Sequence, residues 1–273
     1  MTGFEPLARL AARLGDATLT RLDSLEWVAE TDSTNTRLLA QTCPVHARVL
    51  IADQQSAGRG RLGRVWSSSR GNAMLLSVAL PLQGGLAAAQ SLSLAVGVVL
   101  VEALHGLGLT SVGLKWPNDL VVGEHKLGGV LIELSSAPSP FVVIGVGLNL
   151  HDAPAVDRPT TDLARLGLDC RSLDRRVDLF AACVLALRGL DVNWLQADAL
   201  QRQQMLERWR LHHAYQDCEV ILELDGRVLH GRVQGIDSQG ALQIAHAMPE
   251  APGKVRLATY HSGEVRLRSV RRG

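Results

Sequence analysis

The sequence predicts an α+β protein in which helices flank a mixed, largely antiparallel sheet, with a small β-barrel at the C-terminal end. Three patterns indicate this. Short apolar runs with polar turns between them follow one another from Val112 to Leu150. Longer runs with helical spacing precede and follow them, at 86–107 and 160–214. Beyond Asp217, short alternating segments are broken by glycine turns, which is typical of a small antiparallel barrel.

The N-terminal part predicts helices and strands around a glycine-rich loop. Residues 4–14 carry apolar side chains at helical spacing and predict a short amphipathic helix. Leu25–Ala29 and Val49–Ala52 are typical of short strands, and the intervening TDSTNT supplies N-cap residues for a second helix. Ala73–Leu80 is apolar nearly throughout and predicts a central strand.

The middle of the chain predicts one long helix and then four strands. Leu86–Leu107 is alanine-rich and apolar on most faces, which indicates a helix packed against a sheet. The predicted strands are Val112–Trp116, Leu120–Val122, Lys126–Leu134 and Phe141–Leu150. The short turns PND and GEH favour antiparallel pairing of the first three. The last of the four is also a candidate for edge-to-edge pairing with a second copy, which predicts a possible homodimer through the sheet.

The C-terminal third predicts helices and then the small barrel. Leu173–Leu190 has a buried helical face, and a further helix extends to about His213. Turn residues then separate short alternating strands. We therefore expect two domains, at 1–215 and 216–273.

Composition excludes several classes of protein. The net charge is +1, with 47% hydrophobic and 20% charged residues, so the overall balance favours neither a nucleic-acid nor a membrane partner. Four cysteines lie far apart without metal-ligand spacing, which predicts reduced thiols and no protein metal site. The longest apolar run, Leu94–Val101, is far shorter than the ~20 residues of a membrane helix. No signal peptide is evident, so we expect a cytoplasmic protein.

The lysines are rare and unevenly placed. Of 28 basic residues only three are lysines, and two of these, Lys115 and Lys126, fall between Arg70 and Arg158, where no arginine occurs. Because the chain otherwise uses arginine, these positions indicate a need for a compact ammonium group.

The segment from Gln54 to Trp66, QQSAGRGRLGRVW, is both flexible and cationic. It alternates glycines with arginines, namely Gly58, Gly60 and Gly63 with Arg59, Arg61 and Arg64. Glycine lets the backbone approach a ligand, and arginine offers a fork of donors for carboxylate or phosphate. The pattern predicts a loop that closes over an anion.

Four further clusters carry chemistry, namely DSTN at 32–35, KWPND at 115–119, HKLGGVLIEL at 125–134 and GVGLN at 145–149. Singly, each also has a structural interpretation. DSTN is a helix cap, KWPND a hairpin turn with a buried tryptophan, and Lys126 a solvated turn lysine. The GxGxxG-like string opens no βαβ unit, which argues against a dinucleotide-binding fold.

In this order, the five motifs resemble the catalytic domain of bacterial biotin–protein ligases. The resemblance covers about residues 25–215, and the C-terminal segment is similar to the family's SH3-like domain. It implies a class II synthetase-like catalytic fold with a small SH3-like barrel. Regulatory members carry an N-terminal winged helix-turn-helix, whereas only about thirty residues precede the first motif here, so no DNA binding is expected. Leu62 stands where the family commonly has an arginine.

The resemblance implies an ATP-dependent, AMP-forming ligase. MgATP and biotin yield biotinyl-5′-AMP and pyrophosphate, and biotin then passes to a lysine of the biotin carboxyl carrier protein of acetyl-CoA carboxylase. ATP and Mg²⁺ are required, with biotin as substrate and no tightly bound prosthetic group. The implied catalytic residues are Lys126, Arg61 and Asp119. Asp119 either orients or deprotonates the incoming amine, or only caps its turn.

The resemblance also implies two binding sets. The implied biotin-binding residues are Ser33, Thr34, Asn35, Gln55, Gly58, Arg59, Gly60, Arg61, Lys126, Gly128 and Gly129. The implied ATP- and adenylate-binding residues are Arg59, Arg61, Arg64, Trp66, Lys115, Asn118, Lys126 and Asn149. Lys115 either binds phosphate or braces its hairpin.

Two alternatives remain open at the level of sequence. One is a lipoate or octanoate–protein ligase on the same fold. The other is a nucleic-acid-binding module formed by the arginine loop and the barrel. Such a module needs aromatic residues interleaved with basic ones, and the final region offers only Tyr215 and Tyr260.

Overall fold

The computed structural model describes residues 4–82, 92–136, 139–155, 158–192, 198–224, 227–248, 253–261 and 266–269. These residues form six α-helices and twelve strands. The helices are α1 Phe4–Leu14, α2 Asp16–Leu19, α3 Thr34–Leu39, α4 Leu92–Gly106, α5 Leu173–Arg188 and α6 Ala199–His212. The strands of the first sheet are β1 Ser24–Val28, β2 Arg48–Ala52, β3 Ala73–Pro81, β4 Gly113–Lys115, β5 Asp119–Val122, β6 His125–Leu134 and β7 Phe141–Asn149.

The first sheet has seven strands in the order β1-β2-β3-β7-β6-β5-β4. Its strand pairs are antiparallel except β1 with β2, which run parallel. The predicted mixed, largely antiparallel sheet is therefore confirmed. The predicted edge-to-edge pairing of Phe141–Leu150 with a second copy is wrong, because β7 lies between β3 and β6 and both of its edges are occupied.

Helices cover both faces of this sheet. Met74, Leu76 and Val78 of β3 belong to the main hydrophobic core, which also includes the buried side chains of α4 and α5. On the opposite face, Leu38 of α3 packs with Phe141 and other residues of β2, β3 and β7. Because both faces are covered, β3 reads as a continuous apolar run rather than an alternating one. The beginning of the long helix predicted at 86–107 lies outside the described residues.

No helix within the described ranges combines the length and the apolar character that crossing a bilayer requires.

A separate antiparallel sheet follows α6. Its five strands are β8 Glu219–Leu224, β9 Arg227–Ile236, β10 Leu242–Ala247, β11 Val255–Tyr260 and β12 Arg266–Ser269, in the order β11-β10-β9-β8-β12. The antiparallel character agrees with the prediction. The predicted closed barrel is not seen in the described part of the chain, because β11 and β12 are left as the two edges of the sheet.

The two sheets meet beside β4. Leu114 forms a parallel bridge with His213, and the amide of Ala214 donates to the carbonyl of Leu114 across 2.8 Å. From α6, the guanidinium of Arg210 donates to the carbonyl of Ile236 across 2.7 Å. The strand that leads into the KWPND turn is thus held by the segment connecting the two sheets.

Candidate active site

The arginine-rich segment folds as a narrow hairpin. The amide of Trp66 donates to the carbonyl of Gly58 across 2.9 Å, and the amide of Gly60 donates to that of Arg64 across 2.7 Å. A single 3₁₀ turn, Arg61–Gly63, forms the tip. Gly58 has a steric role, since a Cβ there would lie 2.4 Å from the carbonyl oxygen of Trp66. We call residues 58–66 the lid hairpin.

The indole of Trp66 lies against β7. A Cβ on Gly147 would come within 2.6 Å of Cε2 of this ring, so the glycine makes the contact possible. The Nζ atom of Lys126 is 5.8 Å from the ring centroid, within cation–π range. The buried indole N–H has no acceptor among the described residues. It is therefore a donor available to a ligand.

Lys126 is buried and paired. Its Nζ donates to Oδ1 of Asp119 across 2.5 Å, and the two side chains are only 14% and 13% exposed. Arg158 donates from Nη1 to Oδ2 of the same carboxylate across 3.1 Å. A Cβ on Gly129 would lie 3.1 Å from Nζ, so this glycine leaves space beside the ammonium. Burial lowers the pKa of Lys126, and the charge of Asp119 opposes that lowering.

The tip of the lid hairpin is joined to the KWPND turn. Arg61 donates from Nη1 to Oδ1 of Asn118 across 3.1 Å, and Nδ2 of Asn118 donates to the carbonyl of Val130 across 2.8 Å. Burial lowers the pKa of the Arg61 guanidinium, and the charge of nearby Asp119 opposes this. The charge of Arg64 further lowers the pKa of both Arg61 and Lys126. Lys126, Arg158 and Arg61 therefore all lie near the carboxylate of Asp119.

The DSTN residues form a buried polar group at the start of α3. Ser33 is the N-cap residue, and its hydroxyl accepts from the amide of Thr36. Thr34 donates from both its amide and its hydroxyl to Oε1 of Gln55, across 2.8 and 3.0 Å. Ser33 and Thr34 are almost wholly buried. Their hydroxyls and the Gln55 amide group are suited to a ligand that both donates and accepts hydrogen bonds.

Asn35 links this polar group to the lid hairpin. Its Nδ2 donates to Oε2 of Glu133 across 2.8 Å, and Nη2 of Arg59 donates to the same oxygen across 2.8 Å. The hydroxyl of Ser77 donates to Oδ1 of Asn35 across 2.5 Å. A Cβ on Gly145 would lie 2.4 Å from that oxygen. The first arginine of the hairpin and the helix α3 therefore share one carboxylate.

Three of the predicted site residues contact other parts of the protein. The Nζ atom of Lys115 lies 5.8 Å from the ring centroid of Tyr215, towards the second sheet. Asn149 is buried and donates from Nδ2 to the carbonyl of Thr161 across 3.0 Å. The space that a Cβ on Gly128 needs is filled by the side chain of Leu148, 2.3 Å away.

The structure adds three residues that sequence analysis missed, namely Ser77, Glu133 and Arg158. Ser77 is the only polar residue of β3, and Glu133 is the only carboxylate of β6, so each breaks an apolar pattern. Arg158 carries no comparable signal. It reaches Asp119 only because the segment after β7 returns to β6, where Lys126 forms a parallel bridge with Thr160.

Comparisons with known proteins indicate the same family as the five motifs. Residues 27–149 match the biotin/lipoate A/B protein ligase family, and residues 218–268 match the biotin protein ligase C-terminal domain. The biotin–[acetyl-CoA-carboxylase] ligase of Mycobacterium tuberculosis is 34% identical over 227 residues, covering 80% of this chain and 82% of its own length. The bifunctional ligase/repressor BirA of Escherichia coli is 34% identical over 246 residues, covering 88% of this chain and 72% of its own.

Among solved structures, the biotin protein ligase of Aquifex aeolicus in complex with biotin and ATP is similar, with a TM-score of 0.71 and 26% identity. The match covers 91% of this chain and 100% of the other. The fold and most of the length of the chain thus have counterparts in known proteins. The chain belongs to the biotin–protein ligase family.

Proposed function

We propose that this protein activates biotin with ATP to biotinyl-5′-AMP and then transfers biotin to a specific lysine of a biotin carboxyl carrier protein. The observation that carries the proposal is the position of Lys126. Its buried ammonium lies between the lid hairpin and β5, beside the space left by Gly129. The relatives named above are biotin ligases, and the similar Aquifex structure contains biotin and ATP.

In this proposal, biotin binds beside the DSTN helix. Its ureido group both donates and accepts hydrogen bonds, as do the side chains of Ser33, Thr34 and Gln55. Asn35, already held by Glu133 and Ser77, fixes the floor of the site. The biotin carboxylate then points towards Lys126. The full proposed biotin set is the one given from sequence.

The first step joins two anions, and the cations of the site lower its barrier. A carboxylate oxygen of biotin attacks the α-phosphorus of ATP, the bond to the β-phosphate breaks, and pyrophosphate leaves. Lys126 stabilises the charge that develops between the carboxylate and the α-phosphate. Arg59, Arg61 and Arg64 face the triphosphate, and Trp66 covers the adenine. Water is excluded while the lid hairpin is closed, which protects the mixed anhydride.

Mg²⁺ enters this proposal as part of the MgATP substrate. The described residues contain no group of three or more histidines, cysteines or carboxylates able to hold a metal ion. Asp119, the carboxylate nearest Lys126, already binds two cations. A divalent cation that arrives with ATP would need few protein ligands and would neutralise phosphate charge, so the residues present fit a nucleotide-bound Mg²⁺.

The second step transfers the biotinyl group to the carrier. The uncharged lysine amine attacks the acyl carbon, the bond to AMP breaks, and the nitrogen releases one proton to solvent as AMP leaves. We propose that Asp119 orients the amine, because its carboxylate stands beside the ammonium that contacts the same adenylate.

Several broader expectations remain proposals. We place the domain boundary at 215/216 and propose that the C-terminal sheet belongs to an SH3-like barrel. We also propose a cytoplasmic enzyme that does not bind DNA. Within the described residues, β6 beyond Val130 pairs only with β7. Its outer edge is therefore the place where a homodimer through the sheet is able to form.

Mixing the protein with biotin, MgATP and an apo carrier domain tests the proposed function. We expect biotin attached to the carrier and, without carrier, release of pyrophosphate. Lys126→Ala should abolish both, whereas near-normal pyrophosphate release would show that another lysine acts. A parallel mixture with lipoate and an apo lipoyl domain should give no product. Labelling of the lipoyl domain alone would replace this proposal with the lipoate alternative.

A further inference from the structure

The carboxylate of Asp119 is shared between two cations. Oδ1 accepts from Lys126 across 2.5 Å and Oδ2 accepts from Arg158 across 3.1 Å. The Asp119 side chain is 13% exposed and that of Arg158 37%. Arg158 lies outside all five motifs, so neither the sequence pattern nor the resemblance gives it a role.

The backbone fixes Arg158 relative to Lys126. The amide of Lys126 donates to the carbonyl of Pro159 across 2.9 Å, and the amide of Thr161 donates to the carbonyl of Lys126 across 2.9 Å. Residues 159–161 therefore run beside Lys126, and Thr160 forms an isolated parallel bridge with it. The side chain of Asn149 holds this segment through the carbonyl of Thr161. The guanidinium thus reaches Asp119 from a segment bonded to the lysine's own backbone.

This arrangement answers a problem that the adenylation step poses. To contact a biotin carboxylate and an α-phosphate, Lys126 must give up part of its bond to Asp119. A mostly buried carboxylate left without a partner is strongly unfavourable. With Arg158 on Oδ2, the departing ammonium leaves behind a neutral ion pair. Because Arg158 remains paired with Asp119, Lys126 is able to move towards the substrates at a small cost in free energy.

We propose that Arg158 is a positioning residue of the adenylation step, which holds and neutralises Asp119 so that Lys126 is released to the reacting phosphate. The inference rests on the proposed function. In this inference Arg158 acts through its contact with Asp119 and not through a contact with a substrate. The Arg158–Asp119 ion pair affects how strongly Asp119 binds Lys126. Removing Arg158 should therefore change the pKa and the reactivity of Lys126, and not only the local fold.

The groups facing Lys126 give this proposal a specific signature. Asp119 on β5, Arg158 after β7, and Arg64 and Trp66 of the lid hairpin surround the ammonium. Burial, Arg158 and Arg64 lower the pKa of Lys126, whereas Asp119 raises it. Removing the charge of Arg158 therefore raises the pKa of Lys126. The alkaline limb of the pH profile for pyrophosphate release should move to higher pH.

The test uses the full-length protein with biotin and MgATP, without carrier. R158Q should slow pyrophosphate release by on the order of tenfold at neutral pH and leave biotin affinity within about twofold. R158K should restore part of the rate. R171Q is the matched control, because the ion pairs that Arg171 forms with Asp152 and Asp169 in the described part of the chain are exposed.

A double-mutant comparison checks the route of action. In a D119N background, R158Q should have little further effect, because the two residues act through one contact. An unchanged rate in R158Q, or an unchanged alkaline limb, or full additivity with D119N overturns the inference. A parent protein that releases no pyrophosphate refutes the proposed function, and the inference falls with it. An active parent with an unaffected R158Q refutes the inference alone.

Discussion

The indole N–H of Trp116 donates a hydrogen bond to the backbone carbonyl of Gly240 across 3.0 Å. Trp116 is buried in the turn that carries Asn118 and Asp119, whereas Gly240 belongs to the second sheet's turn between β9 and β10. The C-terminal sheet is thus bonded directly to the turn that presents two site residues. We therefore expect changes in the C-terminal sheet to affect the chemistry of the candidate site.

Replacing Trp116 with phenylalanine keeps a ring but removes the donor. The buried carbonyl of Gly240 then lacks this partner, which should cost about 1–3 kcal/mol of unfolding free energy. We also expect roughly tenfold slower adenylate formation, since Asn118 and Asp119 shift with the turn. Urea unfolding and pyrophosphate release measure the two effects. Parent-like values in both would show that the contact has no such role.

Asp237 provides a second test of the Trp116–Gly240 contact, with Asp237→Asn as the control. Its Oδ1 accepts from the amides of Gln239 and Ala241, at 2.8 and 2.9 Å, and so shapes the turn that presents Gly240. Asp237→Ala should slow adenylate formation as Trp116→Phe does, while Asp237→Asn, which retains the acceptor, should remain active. Independent, additive losses in the Trp116→Phe/Asp237→Ala double variant would contradict a shared contact.

Arg61 is expected to hold the lid hairpin closed over the adenylate. Arg61→Ala removes the 3.1 Å bond to Asn118 and the partly buried guanidinium. We expect biotinyl-5′-AMP to escape into solution several times faster, since the opened hairpin no longer shields it. Chromatography of protein-bound and free adenylate after a single turnover measures this. Retention equal to that of the parent would show that Arg61 does not hold the hairpin closed.

Substitution of two glycines of β7 should distinguish the proposed ATP-binding part of the site from the proposed biotin-binding part. Gly147→Ala places a Cβ 2.6 Å from the Trp66 ring, so the indole must move and ATP affinity should fall by about tenfold. Gly145→Ala instead places a Cβ 2.4 Å from Oδ1 of Asn35, which should weaken biotin binding. Calorimetric titration with each ligand compares the variants. Equal losses for both ligands in both variants would contradict this division.

His213 should make stability depend on pH. Burial lowers the pKa of its ring from 6.5 to about 4, and the ring stacks on Trp209 with centroids 4.3 Å apart. Between about pH 4 and pH 6.5, His213 is therefore protonated in the unfolded chain and neutral in the folded chain. The contribution of a neutral, buried His213 to stability should be fully present above pH 6.5 and should be lost as the pH falls towards 4, a difference of about 3 kcal/mol.

His213→Phe should flatten this dependence, because it keeps an aromatic ring against Trp209 and removes the titrating group. Urea unfolding at pH 7 and at pH 4.5 provides the comparison. Replacement of the exposed His125 with asparagine should leave the dependence as steep as in the parent. A parent whose stability is equal at the two pH values would refute the role of His213.

The sequence by itself determined most of the elements and their order, and it predicted which residues carry the chemistry. Helical and alternating spacing are local properties, so the bounds of α1 and the strands from β2 to β7 followed within a few residues. The alternation of glycine with arginine predicted a loop at these positions, and the structure shows that the segment folds as the lid hairpin. The five motifs together also identified the family.

Only the tertiary structure decided which strands are neighbours and which charges meet. β7 was taken for an edge strand because its own residues do not reveal that β3 and β6 occupy both sides. Glu133 and Arg158 gained their partners through contacts between residues 74 and 39 positions apart, and local patterns carry no information on these. The buried state of Lys126 follows from the same assembly, because a charged side chain becomes buried only when distant segments bring its partners to it.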